Sequence, residues 1–268
     1  MSDLPFANKS LGQHWLTDVT ALESMVTAAE VGAGDVVLEV GPGPGALTEL
    51  LVAVADRVVA VEFDELLARQ LPRRVTAPNL EVHQQDILQF DLTQLPADYK
   101  VCANIPYYLT SKLLRTLSES TNPPSVVALL VQKEVAERIA ASPGDMSLLS
   151  VSVQWYFEAE LREVVPARSF VPPPKVDSQI IRLVRRQTPL FVGVDTKVFF
   201  QLVKAGYSAR RKTLHNSLSG GLRVSKEDAA LILNSAEIPL AKRPQELSLT
   251  DWHHLYLAYQ DHSPPPPA

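Results

Sequence analysis

The sequence has only one cysteine, and it contains no run of about twenty apolar residues that could cross a bilayer. That cysteine, Cys102, lies in a predicted strand, where we interpret it as a buried and inert thiol. Residues 1–10 lack the charged, apolar and small-residue pattern that is typical of a secretion signal. We therefore expect neither a membrane span nor secretion, and a cytoplasmic location agrees with the cysteine content.

A positive net charge is also missing, because 25 basic residues face 30 acidic ones and the formal charge is -5 at pH 7. Averaged over the chain, this charge argues weakly against a nucleic-acid partner, but a local basic surface can dominate binding. With 268 residues, 46% of them hydrophobic, the chain can bury one large core with a smaller appendage.

A glycine-rich turn follows the apolar run Val36–Val40. Gly41 and Gly43 alternate with Pro42 and Pro44, and apolar residues then recur at helical spacing. A strand, a glycine turn and a helix form the first unit of a dinucleotide-type α/β fold. The prolines remove amide donors that a pyrophosphate would need, so a nucleoside without phosphates, such as S-adenosylmethionine, fits better than NAD.

Acidic residues follow the next two predicted strands. The strand at 58–61 ends at Glu62, which stands 21 residues after Gly41 and could accept hydrogen bonds from ribose hydroxyls. The strand at 80–83 is followed by Asp86, which could accept from an adenine amino group. The alternatives are a solvated strand end for Glu62 and the cap of a short helix for Asp86.

A polar corner follows the strand predicted at 99–103. Asn104 and Pro106 can aim an amide and neighbouring carbonyls into a crevice as acceptors, while Tyr107 offers a surface for stacking a flat ring. This combination suits the holding of an exocyclic amine of a heterocycle. An ordinary strand end with a core tyrosine is the alternative.

A proline-rich segment at 170–178 provides a second aromatic candidate. Three consecutive prolines stiffen the chain after Phe170, which could stack on the face of a base opposite Tyr107. The alternative is a rigid surface turn whose phenylalanine belongs to the core.

Gly41, Glu62, Asp86 and Asn104 each follow a successive predicted strand, and ligands of open parallel sheets bind at that edge. We therefore predict an α/β, Rossmann-like domain with a mostly parallel sheet of about seven strands. The further strands are predicted at 126–131, 149–157, 161–165 and 179–184, and helices at 110–117 and 135–141.

Helical periodicity dominates after Gln187, with helices predicted at 198–207, 210–218, 226–233 and 249–259. We divide the chain into a Rossmann-like domain at 1–187, a small helical domain at 188–260 and a disordered tail at 261–268. Basic residues that could bind phosphates are Lys204, Arg210, Arg211 and Lys212, with Arg182, Arg185 and Arg186 before the boundary. A merely solvated basic face is the alternative.

Taken together, these segments resemble the bacterial 16S ribosomal RNA adenine dimethyltransferases, which modify two adjacent adenosines near the 3′ end of small-subunit RNA. The resemblance extends from about residue 9 to residue 259. The segments that carry it are 11–16, 38–48, 104–108, 132–136, 170–178 and 210–218. Trp15 departs from the phenylalanine that is usual in the family, and Tyr108 from an asparagine in some relatives.

The resemblance implies a methyltransferase domain, a small helical RNA-binding domain, S-adenosylmethionine as methyl donor and no metal. It implies 16S rRNA in the small subunit as the partner, and we expect a monomer. The implied cofactor-binding residues are His14, Leu16, Gly41, Gly43, Glu62, Asp86 and Asn104. Those implied around the target base are Asn104, Pro106, Tyr107 and Phe170.

Three other functions remain open from the sequence. The related macrolide-resistance methyltransferases act on 23S rRNA with the same chemistry, although the segments 210–218 and 243–248 look more like the small-subunit family. A ribosome assembly factor could use the same fold without catalysis, but the intact motif residues argue against it. A nicotinamide oxidoreductase would need a proton donor beside a hydride acceptor, and we find no convincing candidate.

Overall fold

The computed structural model describes residues 4, 5, 7, 12–209 and 211–262. It divides into two compact units, one formed by Met1–Glu137 with Phe157–Arg186 and the other by Arg138–Tyr156 with Gln187–Ala268. The second unit thus includes a stretch that the sequence analysis assigned to the first domain. The reason is packing: the ring of Trp155 lies 4.0 Å from that of Phe199, centroid to centroid, inside the second unit's core.

Seven strands of the first unit form one sheet, and two short strands form another. In chain order the strands are β1 Trp15–Leu16, β2 Val36–Val40, β3 Arg57–Glu62, β4 Leu80–Gln84, β5 Lys100–Asn104, β6 Val126–Gln132, β7 Phe157–Val165, β8 Phe170–Val171 and β9 Ser178–Arg185. The order in the large sheet is β4-β3-β2-β5-β6-β9-β7, while β1 pairs with β8. Strands β4, β3, β2, β5 and β6 pair in parallel, and β9 is antiparallel to both its neighbours. The predicted Rossmann-like, mostly parallel sheet is confirmed.

The central strands are apolar along most of their length because helices and loops cover both faces of the sheet. In β6 the first six residues are all buried. The helices in chain order are α1 Val19–Ala28, α2 Ala46–Val54, α3 Glu65–Arg74, α4 Thr110–Glu119, α5 Lys133–Ile139, α6 Leu148–Gln154, α7 Thr196–Gly206, α8 Leu214–Leu222, α9 Lys226–Ser235 and α10 Leu249–His262. Asp18 begins α1, where its carboxylate accepts from the amides of Thr20 and Ala21 at 3.1 and 3.3 Å.

The order of the large sheet reverses at its centre. Strand β2 lies between β3 and β5, so the chain moves outward from β2 to β4 and then returns to the other side of β2. The helices that follow β2 and β5 therefore leave in different directions. A crevice opens at the carboxyl ends of β2 and β5, which is where ligands of this fold class bind.

The strand predicted at 149–157 is wrong, because these residues form most of α6 and only Phe157 begins β7. A capping box starts the helix: Ser150 N donates to Ser147 Oγ at 3.2 Å, and Ser147 N donates to Ser150 Oγ at 2.6 Å. Valines at alternating positions resemble a strand in the sequence. In the structure, the local serine bonds and burial of Val151 favour the helix.

The helices α6 to α10 belong to the second unit, whose core includes Phe199, Leu202 and Trp252. Helix α8 begins four residues later than predicted, and Arg210 lies outside the described residues. Helix α10 continues to His262, two residues into the predicted tail, and residues 263–268 are not among those described.

Within the described ranges, no helix has the length and apolar character that crossing a bilayer would require.

Cys102 is fully buried in β5, and its sulfur donates to the carbonyl oxygen of Met25 at 3.6 Å. Burial raises the pKa of the thiol far above its usual range. The predicted burial of this cysteine is confirmed.

Candidate functional site

One cavity of the first unit lies at the carboxyl ends of β2 and β5. It is lined by most of the residues predicted from the sequence: His14, Leu16, Gly41, Glu62, Asn104, Pro106, Tyr107 and Phe170. Two predicted residues, Gly43 and Asp86, are not part of its lining. The glycine turn, the acid after β3 and the asparagine after β5 therefore meet at one place, as the strand order requires.

Gly41 and Gly43 both have positive φ angles but serve different purposes. At Gly41, with a φ of +67°, an added Cβ would meet none of the described atoms within 4 Å, so the missing side chain leaves open space beside the cavity. At Gly43, with a φ of +56°, an added Cβ would lie 2.7 Å from Cζ3 of Trp15. Gly41 thus gives a ligand access to the main chain, whereas Gly43 permits close packing of the amino-terminal segment.

Glu62 is buried at the end of β3, and the main chain holds both of its carboxylate oxygens. Gly43 N donates to Oε2 at 3.1 Å, and Asp64 N donates to Oε1 at 2.9 Å. Burial raises the pKa of Glu62, while the two amide bonds oppose that shift. Each oxygen keeps a further lone pair, so the fixed carboxylate can accept two hydrogen bonds from a ligand.

Glu39 is a cavity residue that the sequence analysis missed. It is 1% exposed within β2, lines the cavity, and accepts a hydrogen bond from Thr48 Oγ1 at 2.7 Å. Burial raises the pKa of Glu39 to about 8, and the charge of Glu62 contributes in the same direction. A glutamate inside an otherwise apolar strand, just before the glycine turn, was the signal that could have identified it.

The amide of Asn104 has a defined orientation. Its Nδ2 lies 3.5 Å from the carbonyl oxygen of His14, a long contact in which only the nitrogen can donate. The amide oxygen therefore faces away from His14. The carbonyl of Pro106 accepts from Leu109 N at 3.0 Å, and Ile105 and Pro106 line the cavity next to Asn104.

Tyr107 is half-buried, and contacts of its hydroxyl and of its ring hold the side chain in place. Its hydroxyl is bonded to Ser178 Oγ at 2.8 Å, and its ring stacks on His14 with 6.2 Å between centroids and 22° between planes. His14 in turn donates from Nδ1 to the Pro172 carbonyl at 2.7 Å, because that carbonyl can only accept. Burial raises the pKa of Tyr107, so its hydroxyl is neutral at physiological pH.

Phe170 lines the cavity but is only 2% exposed, because its strand β8 pairs with β1 and its ring joins the core. The core position of this phenylalanine was the alternative interpretation of the sequence. Tyr108 is the opposite case: it lines the same cavity and is 62% exposed.

Asp86 begins the short 3-10 turn Ile87–Gln89, where its Oδ1 accepts from Leu88 N at 3.0 Å. The structure thus shows the capping role that the sequence left open, at a position outside the cavity lining. The contact of Asp86 with an adenine stays a prediction.

Three of the arginines expected to bind phosphates are engaged in ion pairs of the first unit. Arg182 is 9% exposed and pairs with Glu30 at 2.5 Å and Glu160 at 3.0 Å. Arg185 pairs with Asp98, and Arg186 pairs with Glu158 at 2.9 Å. These pairs neutralise the arginines, so phosphate binding would depend on other cations.

In the second unit, Lys204, Arg211 and Lys212 are exposed, and no ion pair of theirs occurs among the described residues. No group of three or more His, Cys, Asp or Glu side chains suited to a metal ion occurs in the described part of the chain either.

Residues 6–261 match the family profile described as ribosomal RNA adenine dimethylase. A curated relative, ribosomal RNA small subunit methyltransferase A of Dehalococcoides mccartyi, is 42% identical over 259 residues, which cover 95% of this chain and 89% of the relative. The solved structure of a dimethyladenosine transferase from Plasmodium falciparum has a TM-score of 0.80 and 25% identity, and covers 92% of this chain and 98% of its own. That of the 23S rRNA methyltransferase ErmE has a TM-score of 0.75 and 29% identity, with coverages of 92% and 99%.

We predict that Gly43→Ala destabilises the protein more than Gly41→Ala. Both variants place an alanine at positive φ, but only the Gly43 variant also drives a Cβ into the buried Trp15 ring. We expect a loss of about 1 kcal/mol for Gly41→Ala and roughly 1–3 kcal/mol more for Gly43→Ala, measured by urea denaturation. Equal losses would contradict the assigned packing role.

We predict that Glu39 makes stability depend on pH. With its folded pKa raised from 4.5 to about 8, the native protein keeps a proton that the unfolded chain releases above pH 4.5. The free energy of unfolding should therefore fall between pH 4.5 and 8, by on the order of 1 kcal/mol per pH unit, and level off above pH 8. Glu39→Gln should flatten this slope in denaturation curves, whereas Glu49→Gln, at an exposed position of α2, should not.

We predict that Ser178 and Tyr107 are energetically coupled. Ser178→Ala and Tyr107→Phe each remove the same hydrogen bond, so each should cost about 1 kcal/mol, and the double variant should cost little more than either single one. Denaturation of the four proteins gives the coupling energy. Additive losses would mean that the 2.8 Å contact contributes nothing to stability.

Proposed function

The chain belongs to the ribosomal RNA adenine dimethylase family, and from this membership we propose that it dimethylates the exocyclic amines of two adjacent adenosines near the 3′ end of small-subunit rRNA. The methyl donor in this proposal is S-adenosylmethionine. The observation that carries the proposal is the cavity at the strand reversal, where the buried carboxyls Glu39 and Glu62 meet the oriented amide of Asn104.

The residues present fit the proposed cofactor. Glu62 offers two fixed carboxylate oxygens for the ribose hydroxyls, and the open space beside Gly41 admits a ligand close to the main chain. Glu39 is a buried carboxyl facing the same cavity, where a cationic ligand would favour its ionised form. When bound, S-adenosylmethionine supplies a methyl group activated by a sulfonium centre.

Asn104 positions the nucleophile in this proposal. An adenine amine is a poor nucleophile because its lone pair is delocalised into the ring. The Asn104 amide oxygen and the Ile105 carbonyl would accept hydrogen bonds from the two N–H groups of this amine. These bonds would aim the nitrogen lone pair at the methyl group. Positioning and exclusion of water then provide most of the rate enhancement. The amine would lose one N–H proton to solvent as its bond to the methyl group forms, and because the thioether left behind would be neutral, no general acid is required.

Tyr107 would receive the target base on its ring. Extruding an adenosine from its stack costs a few kcal/mol, and stacking on an aromatic side chain returns roughly 1–3 kcal/mol per base. The bond to Ser178 and the stack on His14 hold the Tyr107 ring in place before RNA arrives, which lowers the cost of ordering it. A second stacking contact by Phe170 would require its ring to leave the core.

Small-subunit RNA is favoured over large-subunit RNA by the relatives rather than by the fold. The similarity to ErmE, at a TM-score of 0.75, means that the same architecture occurs in a 23S rRNA methyltransferase. The relatives named small subunit methyltransferase A are 38% to 43% identical to this chain.

The helical unit that contains α7 to α10 would bind the RNA backbone through Lys204, Arg211 and Lys212. We expect the protein to act as a monomer, since the proposed reaction uses residues of one chain.

We predict that Asn104→Ala retains cofactor binding but loses methyl transfer. Calorimetry should give a dissociation constant for S-adenosylmethionine within about threefold of wild type, while transfer falls at least about a hundredfold, because a positioning acceptor is removed. Transfer is measured with labelled cofactor on under-methylated 30S particles, and the modified nucleosides are identified. Wild-type turnover by this variant would contradict the role of Asn104.

The same assay tests the substrate, with 50S particles and free RNA alongside. Dimethyladenosine formed only in 30S particles supports the proposal. Labelling of 50S particles would instead assign the protein to the 23S-modifying enzymes. Tight binding to 30S particles without transfer would indicate an assembly factor that does not catalyse the reaction.

A further inference from the structure

Tyr108 is an exposed aromatic residue at the mouth of the cavity, and the proposed reaction leaves it without a role. We propose that its ring is a stacking platform for the nucleotide next to the target adenosine, and that nearby unpaired cations hold the adjoining phosphates. This inference rests on the proposed function, because it names how the same site engages RNA beyond the target base.

The Tyr108 ring is supported on one side and open elsewhere. An added Cβ on Gly12 would lie 3.7 Å from Cδ1 and 3.8 Å from Cε1 of Tyr108, so the ring packs beside the amino-terminal segment. The side chain is nevertheless 62% exposed. A large ring held against main chain at the mouth of a cavity, with a free face, suits stacking of a base.

The other aromatics around the cavity cannot provide this surface. Tyr107 stacks on His14 with one face and is assigned to the target base in the proposed function, and Phe170 is buried. Phe63 is 58% exposed, but it directly follows Glu62 at the end of β3, where the cofactor's ribose is proposed to lie. Tyr108 is the exposed ring on the Asn104 side, where RNA must arrive.

A free positive charge lies on the helix that follows Tyr108. Tyr108 belongs to the short turn Tyr107–Leu109, and α4 then begins at Thr110. Lys112 and Arg115 are exposed on the first two turns of α4, while Leu113 and Leu114 are buried. Arg115 is paired with Glu119 at 3.0 Å, whereas Lys112 has no ion pair within the described residues. Lys112 is therefore available to a phosphate about one helical turn from the Tyr108 ring.

Residues 167–177, which include most of the proline-rich segment, carry two more such cations. Arg168 and Lys175 are exposed and lack an ion pair in the part of the chain that the structure describes. Their segment is closed at its base by Ala167 N, which donates to Asp177 Oδ1 at 2.9 Å. Its Pro172 carbonyl is tied to the cavity wall by the 2.7 Å bond to His14. Positive charge thus lies on both segments that border the cavity.

Two adjacent adenosines need such a platform. While one adenine occupies the cavity, its neighbour is pulled out of its own stack and exposes its faces to water. Tyr108 would replace that lost stacking with a contact that any base can make. Stacking on Tyr108 should therefore strengthen RNA binding and leave cofactor binding unchanged.

The test compares Tyr108→Ala, Tyr108→Phe and Phe63→Ala. We expect Tyr108→Ala to raise the KM for under-methylated 30S particles about tenfold, with Tyr108→Phe close to wild type, because stacking needs the ring and not the hydroxyl. The dissociation constant for S-adenosylmethionine should not change in either Tyr108 variant. Phe63→Ala should show the reverse pattern, with weaker cofactor binding and unchanged RNA affinity.

A second readout does not depend on methyl transfer. A short RNA with 2-aminopurine beside the target adenosine should be quenched in complexes with wild type and Tyr108→Phe and brighter with Tyr108→Ala. Quenching without any transfer by wild type would overturn the proposed function but retain the platform. Equal fluorescence and equal KM for all three proteins would overturn the platform, even if transfer is normal.

Lys112 is tested through the salt dependence of RNA binding. We expect Lys112→Gln to reduce the slope of log Kd against log salt concentration by about one, as for the loss of a single phosphate contact. Arg73→Gln is the matched control, since Arg73 is an exposed cation on α3 with no ion pair among the described residues and does not line the cavity. An unchanged slope for Lys112→Gln, or an equal change for Arg73→Gln, would remove Lys112 from the proposed surface.

Discussion

The burial of two carboxyl groups in one cavity is the constraint on which the site depends. Glu39 and Glu62 lie at the ends of neighbouring parallel strands, so the strand register fixes their separation. Removing both from water is costly, and the protein compensates with amides for Glu62 but with only one hydroxyl for Glu39. A cationic ligand would offset the remaining cost, in agreement with the sulfonium cofactor proposed for this cavity.

Much of this site could be predicted from the sequence because each motif ends a strand. In a parallel sheet, such positions share one edge, so Gly41, Glu62 and Asn104 could be placed together from the order of the motifs alone. Glu39 was missed because it lies inside a strand, whereas the motif residues lie at strand ends or just after them. The burial of Phe170 could not be foreseen, since it depends on the pairing of β8 with β1, which are distant in sequence.

Contacts between residues that are distant in sequence also explain the wrong predictions outside the cavity. Alternating valines near Val151 resemble a strand, although a serine capping box favours the helix, and the packing of Trp155 on Phe199 places the segment in the second unit. The basic residues Arg182 and Arg185 look available for phosphates in the sequence, but their acidic partners lie 22 to 152 residues away in the chain. Local patterns predict elements and motifs, whereas long-range partners decide which charges stay free.

The two exposed rings at the cavity mouth have a further consequence for the order of events. Phe63 follows β3 and Tyr108 follows β5, and these strands flank β2, so the two residues leave the sheet edge from strands about 10 Å apart. Each added methyl group consumes one cofactor, so dimethylation needs exchange between transfers. If RNA binds across Tyr108 and the cofactor lies beside Phe63, as proposed, spent cofactor would leave on one side while the RNA stays bound on the other, and both transfers would be favoured during a single encounter with the ribosomal particle.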